Sequence, residues 1–289
     1  FDTVFGPETN NSTVAGKVAL PLVAPALRGV NGTIFAYGVT SSGKTHTMLG
    51  TDSDPGVVPR VVRELFSQIA AARASGAGTG TSPGPPRDYT VRLSIMEIYN
   101  EVLNDLLDPT RTNLKVREDS RSGLVLVDGL LEQVVTTAEQ ALDLIARGDH
   151  NRKVSATAFN EDSSRSHTIT RIIVESTPLA TGGGVGNDGA LIDLAGSESA
   201  RAVVSKGQRM EGSFINRSLL TLGTVIHKLA AGAAGHVPFR DSKLTRLLQP
   251  SLSGPGARVA VVCNITPAAA QSDETANTLK FAARAKLIQ

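Results

Sequence analysis

The sequence predicts an α/β layered fold, with helices on both faces of a central, mostly parallel β-sheet, and three observations carry that expectation. Segments patterned as strands alternate with segments of helical spacing along most of the chain. The stretch Gly32 to Leu49, GTIFAYGVTSSGKTHTML, runs from a short apolar segment straight into a glycine-bounded polar loop. Ala190-Leu191-Ile192 reads as a fully buried strand that ends on an acid, Asp193.

In chain order, Val14 to Leu27 carries apolar residues at helical spacing interrupted by Pro21 and Pro25, so a short, kinked helix is expected. Asp52-Ser53-Asp54-Pro55-Gly56 is a turn, after which Val61, Leu65 and Ile69 recur along a helix. Residues 73–88 are low-complexity Gly/Ser/Pro sequence that cannot bury a core, and read as a surface loop inside one domain. Val91, Leu93 and Ile95 alternate with Arg92 and Ser94 as a strand that leads into Glu97 to Glu101, with a helical stretch expected from there to Leu107. Thr137 and Gln140 form a capping box for a helix to Arg147. Ile169 to Val174 is strand-like, and Pro178 to Gly189 reads as a Gly-rich loop. From Ser213, the apolar residues Ile215, Leu219, Leu222, Ile226 and Leu229 mark a long amphipathic helix closing near Gly232. Asp241 is the expected N-cap of the next helix, with Leu244, Leu247 and Leu248 inward. Arg258 to Ile265 is a central strand, and Asp273 to Leu287 a final helix.

Composition narrows the classes. Lys+Arg 29 against Asp+Glu 27 leaves a net charge of +2, so an anionic partner must meet a local basic patch. A single cysteine, Cys263, lies inside the apolar run from Val259, where a buried thiol is expected rather than a nucleophile, and no disulfide framework is possible. With no apolar run of spanning length and no basic-then-apolar leader, a cytosolic protein is expected.

The polar loop supplies the chemistry. Gly38-Val39-Thr40-Ser41-Ser42-Gly43-Lys44-Thr45 matches G-x-x-x-x-G-K-[ST]. Glycines let backbone N–H groups curl around phosphate oxygens, the new helix presents its positive end, Lys44 reaches the β- and γ-phosphates, and the Thr45 hydroxyl ligates Mg²⁺. Asp193 is placed to hold a metal-bound water, and Gly196 offers an unobstructed N–H to a γ-phosphate; taken alone, such an aspartate commonly caps the next segment. Asn160 to His167, NEDSSRSH, gathers hydroxyls, a guanidinium and an imidazole before a strand. Arg165 and Glu198 are natural partners if this loop and the one after Asp193 both face the phosphate.

The loop flanked by FAYG and HTM, NEDSSRSH at 160–167, DLAGSE at 193–198, INRSLLTLGTVI at 215–226 and HVPFRDSKLTRLLQ at 236–249 together resemble the kinesin motor domain over nearly all of the chain. The resemblance implies a P-loop NTPase three-layer sandwich forming a single domain over 1–289, and a microtubule-stimulated ATPase that moves along microtubules. Gly38, Val39, Thr40, Ser41, Ser42, Gly43, Lys44 and Thr45 would hold ATP or ADP, with His46 against the adenine. Thr45 and Ser164 would ligate Mg²⁺, with Asp193 acting through water. Asn160 and Ser163 would approach the γ-phosphate and lytic water, Arg165 would pair with Glu198, and Gly196 would complete the sensor. The helix from Ser213 to Ala231 resembles the family's relay helix, and His236, Arg240, Lys243 and Arg246 follow in the segment that touches acidic tubulin. A dimer through regions outside this chain, no nucleic-acid partner, no membrane insertion, and a cytoplasmic, microtubule-associated location complete the expectation.

This sequence departs from the family's pattern at Ala15, where an aromatic is frequent, at Phe239, where Tyr is, and at Met210, where a basic residue is usual. It opens at Phe1-Asp2-Thr3-Val4-Phe5, past the family's first strand and its adenine-contacting Arg/Pro segment, and stops at Gln289, before the neck linker; a fragment or a differently built adenine pocket is expected. The competing reading is a non-hydrolysing microtubule-binding module with the same fold. A signalling GTPase lacks its N-K-x-D segment here, and 4% aromatics without Trp leave few platforms for stacking bases.

Overall fold

The computed structural model describes residues 1–75, 87–119, 125–158, 166–178, 185–193, 197, 206–232, 235–254 and 256–288. Its main sheet runs β3-β2-β7-β8-β1-β9, with β6 paired to β2. In chain order these strands are β1 (Gly32–Tyr37), β2 (Arg87–Tyr99), β3 (Val102–Asp105), β6 (Gln133–Val135), β7 (Ser166–Pro178), β8 (Val185–Asp193) and β9 (Arg258–Cys263). A separate ribbon pairs β4 (Lys115–Glu118) with β5 (Val125–Asp128). The expectation of a mostly parallel sheet holds only around β1, whose partners β8 and β9 both run parallel to it. The pairs β2–β3, β2–β6, β2–β7 and β7–β8 are antiparallel. The long β2–β7 ladder, from Arg87 opposite Pro178 to Tyr99 opposite Ser166, accounts for this change of sense.

Alternation along the strands sends side chains to two separate cores. Ile34, Ala36, Val91, Leu93 and Ile95 face a cluster built with α1 (Asn11–Val18), α2 (Val23–Leu27), α4 (Val57–Ser75) and α5 (Ala138–Ala158). Phe35, Met96, Ile98 and Ile169 face the other way, against α6 (Lys206–Ala230), α7 (Lys243–Ser253) and α8 (Ser272–Ala285). Between β1 and α4 stands the short helix α3 (Lys44–Met48). Helices on both faces of one sheet give the three layers expected from the sequence. The kink in the first helical region is present as a 3₁₀ turn at Leu20–Leu22 between α1 and α2.

Six local expectations are corrected. The helical stretch after Glu97 is instead a tight hairpin: Asn100 and Glu101 both take left-handed φ, 51° and 59°, the signature of a two-residue turn whose twist matches its strands. Helix α4 continues to Ser75 and β2 begins at Arg87, so both ends of the supposed 73–88 loop are regular structure, clipped together by Arg73 donating to Asp88 and to the Tyr89 carbonyl at 3.0 Å. Helix α5 runs past Gly148 to Ala158; a Cβ on Gly148 would stand 2.9 Å from Ile95 Cδ1, so the glycine lets the helix lie close on β2. Val185 to Gly189 belong to β8 and not to a loop, paired with β7. The N-cap of α7 is Ser242, whose hydroxyl accepts from Thr245 N, with Asp241 in a preceding 3₁₀ turn. Among the described residues β9 pairs with β1 alone, at an end of the sheet's strand order and not at its centre.

The hairpin's end is secured by Asp105, which is 1% exposed. Its carboxylate accepts from Leu107 N at 2.8 Å, Asp108 N at 3.2 Å and Leu131 N at 2.7 Å. Asp105→Ala leaves these amides unmet and should lower stability by about 3 kcal/mol, read as a reduced urea midpoint, with Asp105→Asn falling between the two.

Candidate nucleotide site

Parallel pairing brings the C-terminal ends of β8, β1 and β9 together, the place where ligands bind in open α/β sheets. From β1 comes the loop 38–43, from β8 comes Asp193, and Asn264 follows β9 directly. Register places Asp193 beside Ala36, two residues before the loop begins.

The loop is tightly built. Gly38 has φ 154° and lies so close to β9 that a Cβ there would be 2.2 Å from the Asn264 carbonyl oxygen. Gly43 takes φ 93° and caps α3, whose first bond runs from Thr47 N to Gly43 O at 2.8 Å. Ser41 is also left-handed, φ 62°, so the chain curls through the loop, the kind of backbone turn from which anion-binding concavities are made. Lys44 is 7% exposed, and its Nζ donates to the Gly38 and Val39 carbonyls at 2.9 Å each. Thr45 and His46 at the start of α3 are exposed, while Thr47 is buried behind them. A glycine cradle, a lysine folded over it and a solvent-exposed threonine at the start of α3 together fit a polyphosphate with its magnesium ion.

The surroundings tie this loop to both cores. Asn11 of α1 donates to the His46 carbonyl at 3.1 Å, and its own amide donates to Asp54 at 3.0 Å. Ser197, in the segment after β8, donates its backbone N–H to Gly38 O at 3.0 Å. The Tyr37 ring stacks on Phe281 of α8, with centroids 3.9 Å apart and 9° between planes. Burial, with the nearby Cys263 and Glu274, pushes the Tyr37 phenol up to about 12. Burial likewise raises the Cys263 thiol to about 11, consistent with its expected role as an inert apolar filler.

Sequence reasoning placed His167 in the polar segment but gave it no task. It is 2% exposed at the start of β7, and its Nε2 shares a 2.7 Å hydrogen bond with Ser218 Oγ of α6. Burial, then the positive charges of Arg152 and Lys44, push its pKa down to about 3. The only hint in the sequence was a histidine next to an alternating strand.

Asn160, Ser163, Ser164, Arg165, Gly196 and Glu198, and with them the Arg165–Glu198 pair, lie outside the described residues, and Met210 is described through its backbone alone. Ala15 is fully buried in the first core and Phe239 is buried in the second. His236, Arg240, Lys243 and Arg246 all lie within the described residues. The Lys243 backbone N–H donates to Glu101 Oε2 at 2.9 Å, and Lys243 Nζ donates to the Leu114 carbonyl at 3.3 Å. Burial, and then Lys115, lower the Lys243 pKa, with Arg246 adding to the effect. Arg240 is exposed and pairs with Glu118 of β4 at 2.7 Å, and the His236 carbonyl accepts from Lys228 of α6 at 2.8 Å.

These features define an α/β protein of the P-loop nucleotide-binding class. The chain belongs to the kinesin family: the model of the kinesin motor domain matches residues 1–288. It is 52% identical to Kinesin-like protein KIN-7D, mitochondrial, of Arabidopsis thaliana, over all of this chain and 26% of that protein. It is also 52% identical to Kinesin-like protein KIN-7D, chloroplastic, of Oryza sativa subsp. japonica, over all of this chain and 28% of that one. The chain therefore spans about a quarter of the length of these curated relatives. A solved structure described as "Structure of a fast kinesin: Implications for ATPase mechanism and interactions with microtubules" superposes with a TM-score of 0.90 at 41% identity, covering all of this chain and 79% of that one.

The His167 burial has a measurable consequence. The folded imidazole stays neutral to about pH 3 while the unfolded one protonates near 6.5, so unfolding takes up a proton between those values. Its contribution is complete above the unfolded value and is lost as pH falls toward the folded one. Between pH 7.5 and pH 5 this group alone should cost on the order of 2 kcal/mol, seen in urea midpoints at the two values. His167→Gln, which keeps a partner for Ser218, should remove that part of the pH dependence.

Proposed function

We propose that this chain is a motor head that hydrolyses ATP, with turnover stimulated by microtubules and used for movement along them. The observation that carries the reading is the cradle: Lys44 folded over loop 38–43 at the end of β1, inside a fold matched by the kinesin family over residues 1–288. In this reading Gly38 to Thr45 hold the phosphates of ATP or ADP, Lys44 trades its two carbonyl partners for phosphate oxygens, and His46 meets the adenine. Thr45, Ser164 and, through water, Asp193 hold Mg²⁺, which neutralises charge on the phosphate oxygens. Asn160 and Ser163 position the lytic water, the Gly196 N–H meets the γ-phosphate, and Arg165 closes on Glu198. Positioning and charge stabilisation are the protein's whole contribution to such a transfer.

For the partner, His236, Arg240, Lys243 and Arg246 form a basic segment against acidic tubulin. Arg240 and Arg246 carry more of this contact than Lys243, whose side chain is committed to the Leu114 carbonyl. The Arg240–Glu118 pair is of the exposed kind, worth about 1 kcal/mol or less, so Arg240 can change partners cheaply. The same reading makes residues 1–289 one motor domain of a cytoplasmic, microtubule-associated protein that dimerises through regions outside this chain and engages neither nucleic acid nor membrane. Among the described residues no helix is long and apolar enough to cross a membrane.

ATP turnover measured with and without microtubules tests the proposal. Stimulation is expected, and a folded chain that binds microtubules without nucleotide sensitivity or turnover would instead be a non-hydrolysing binding module. Arg165→Ala and Glu198→Ala should each suppress hydrolysis by a hundredfold or so while nucleotide stays bound, and the double variant should be little worse than either single one. Additive losses would mean that the two loops do not close as a unit.

A further inference from the structure

Asn264, the first residue beyond β9, touches the phosphate loop and the helix after it at several points. Its backbone N–H donates to the Tyr37 carbonyl at 2.8 Å, continuing the β1–β9 ladder to the last residue before the loop. Its own carbonyl oxygen is the atom that a Cβ on Gly38 would strike, 2.2 Å away. At the loop's other end, a Cβ on Gly43 would lie 3.8 Å from Asn264 Nδ2. The same Nδ2 donates to Thr47 Oγ1 of α3 at 3.0 Å, and Thr47 is 8% exposed. The amide's Oδ1 and the Ser42 hydroxyl within the loop are buried with no hydrogen-bond partner among the described residues.

An aliphatic side chain would fill the same space without burying an unmet oxygen, an arrangement that folded proteins seldom tolerate. What it would lack is the bond to Thr47. A phosphate loop works by presenting its amides in place before the ligand arrives, so a residue bonded both to the strand before the loop and to the helix after it governs how firmly the loop grips.

We propose that Asn264 is a positioning residue for the nucleotide site: it fastens α3, the helix that the phosphate loop runs into, to the end of β9, and thereby sets how fast bound nucleotide leaves. The inference rests on the nucleotide reading above. It goes beyond that reading in giving a task to a residue that touches no phosphate-binding atom except through the loop's own backbone.

The test is the dissociation rate of a fluorescent ADP analogue from the chain in the presence of Mg²⁺, followed by stopped flow, with circular dichroism and urea midpoints as the check on folding. Asn264→Ala and Thr47→Val should each speed release about fivefold, the factor that loss of one neutral hydrogen bond commonly brings. The double variant should release no faster than the faster single one, because both substitutions break the same bond. Asn264→Asp keeps a partner for the Thr47 hydroxyl but sets a negative charge behind the loop. It should weaken binding more than Asn264→Ala does, and ATP more than ADP.

These outcomes separate the inference from its foundation. A wild-type chain that binds no nucleotide overturns the nucleotide reading and this inference with it. Wild-type binding with unchanged release from folded Thr47→Val and Asn264→Ala, or with strictly additive effects in the double variant, overturns this inference alone. If Asn264→Ala does not fold, Thr47→Val against wild type decides the matter.

Discussion

Strand β1 takes parallel ladder bonds from β8 on one side and from β9 on the other, which leaves only its two faces to be covered. Ile34 and Ala36 go to one helical layer and Phe35 to the other, so a six-residue strand anchors both cores. Because its neighbours point the same way, the chain leaves all three strands at one end of the sheet. The phosphate loop, Asp193 and Asn264 are thereby assembled from positions 38, 193 and 264 without any one segment carrying the site. The antiparallel half of the sheet is free of this demand and is used for hairpins, of which the tight turn at Asn100 and Glu101 is the sharpest.

The polar contacts around the loop fall on both sides of the sheet. Asn11 holds the His46 carbonyl from the layer of α1, α4 and α5. On the other layer, His167 reaches Ser218 of α6 and Tyr37 stacks on Phe281 of α8. A side chain that is buried and hydrogen-bonded on one rigid element and packed on another fixes their separation. Helices α6 and α8 are each held in this way to strands that end at the site, whereas α7, capped by Ser242 and Glu101, is referenced to the β2–β3 hairpin.

Legibility followed the physics of each segment. The phosphate loop was plain in the sequence because its glycines and lysine must occur at fixed spacing, and the α6 stripe because four apolar steps leave little choice of face. The turn at Asn100 was misread because Glu101, a residue that seldom adopts left-handed φ, carries no glycine-like signal. The helix expected to Arg147 continues through Gly148, and Gly186 and Gly189 fall in a stretch expected as loop that is strand. In each case a partner distant in sequence decides: Ile95 beneath the helix, and Ile172 to Glu175 alongside the strand. Asp241 and Ser242 are both good caps, and Asp241 is taken up by the 3₁₀ turn Phe239–Asp241, which leaves the serine to cap α7. Asn264 gave no sign at all, since one amide after an apolar run reads as the end of a strand.

The carbonyl oxygen of Gly38 accepts two hydrogen bonds, from Lys44 Nζ and from Ser197 N. An sp² oxygen has two lone pairs, and here both are spoken for. The ammonium also polarises that carbonyl, so the strength with which the oxygen holds Ser197 depends on where the lysine is. Drawing Lys44 away toward an anion withdraws a full positive charge from one side of a single atom and changes the hold on the other. Ser197 is thus wired to the lysine through one oxygen, a connection with no moving parts between its two ends.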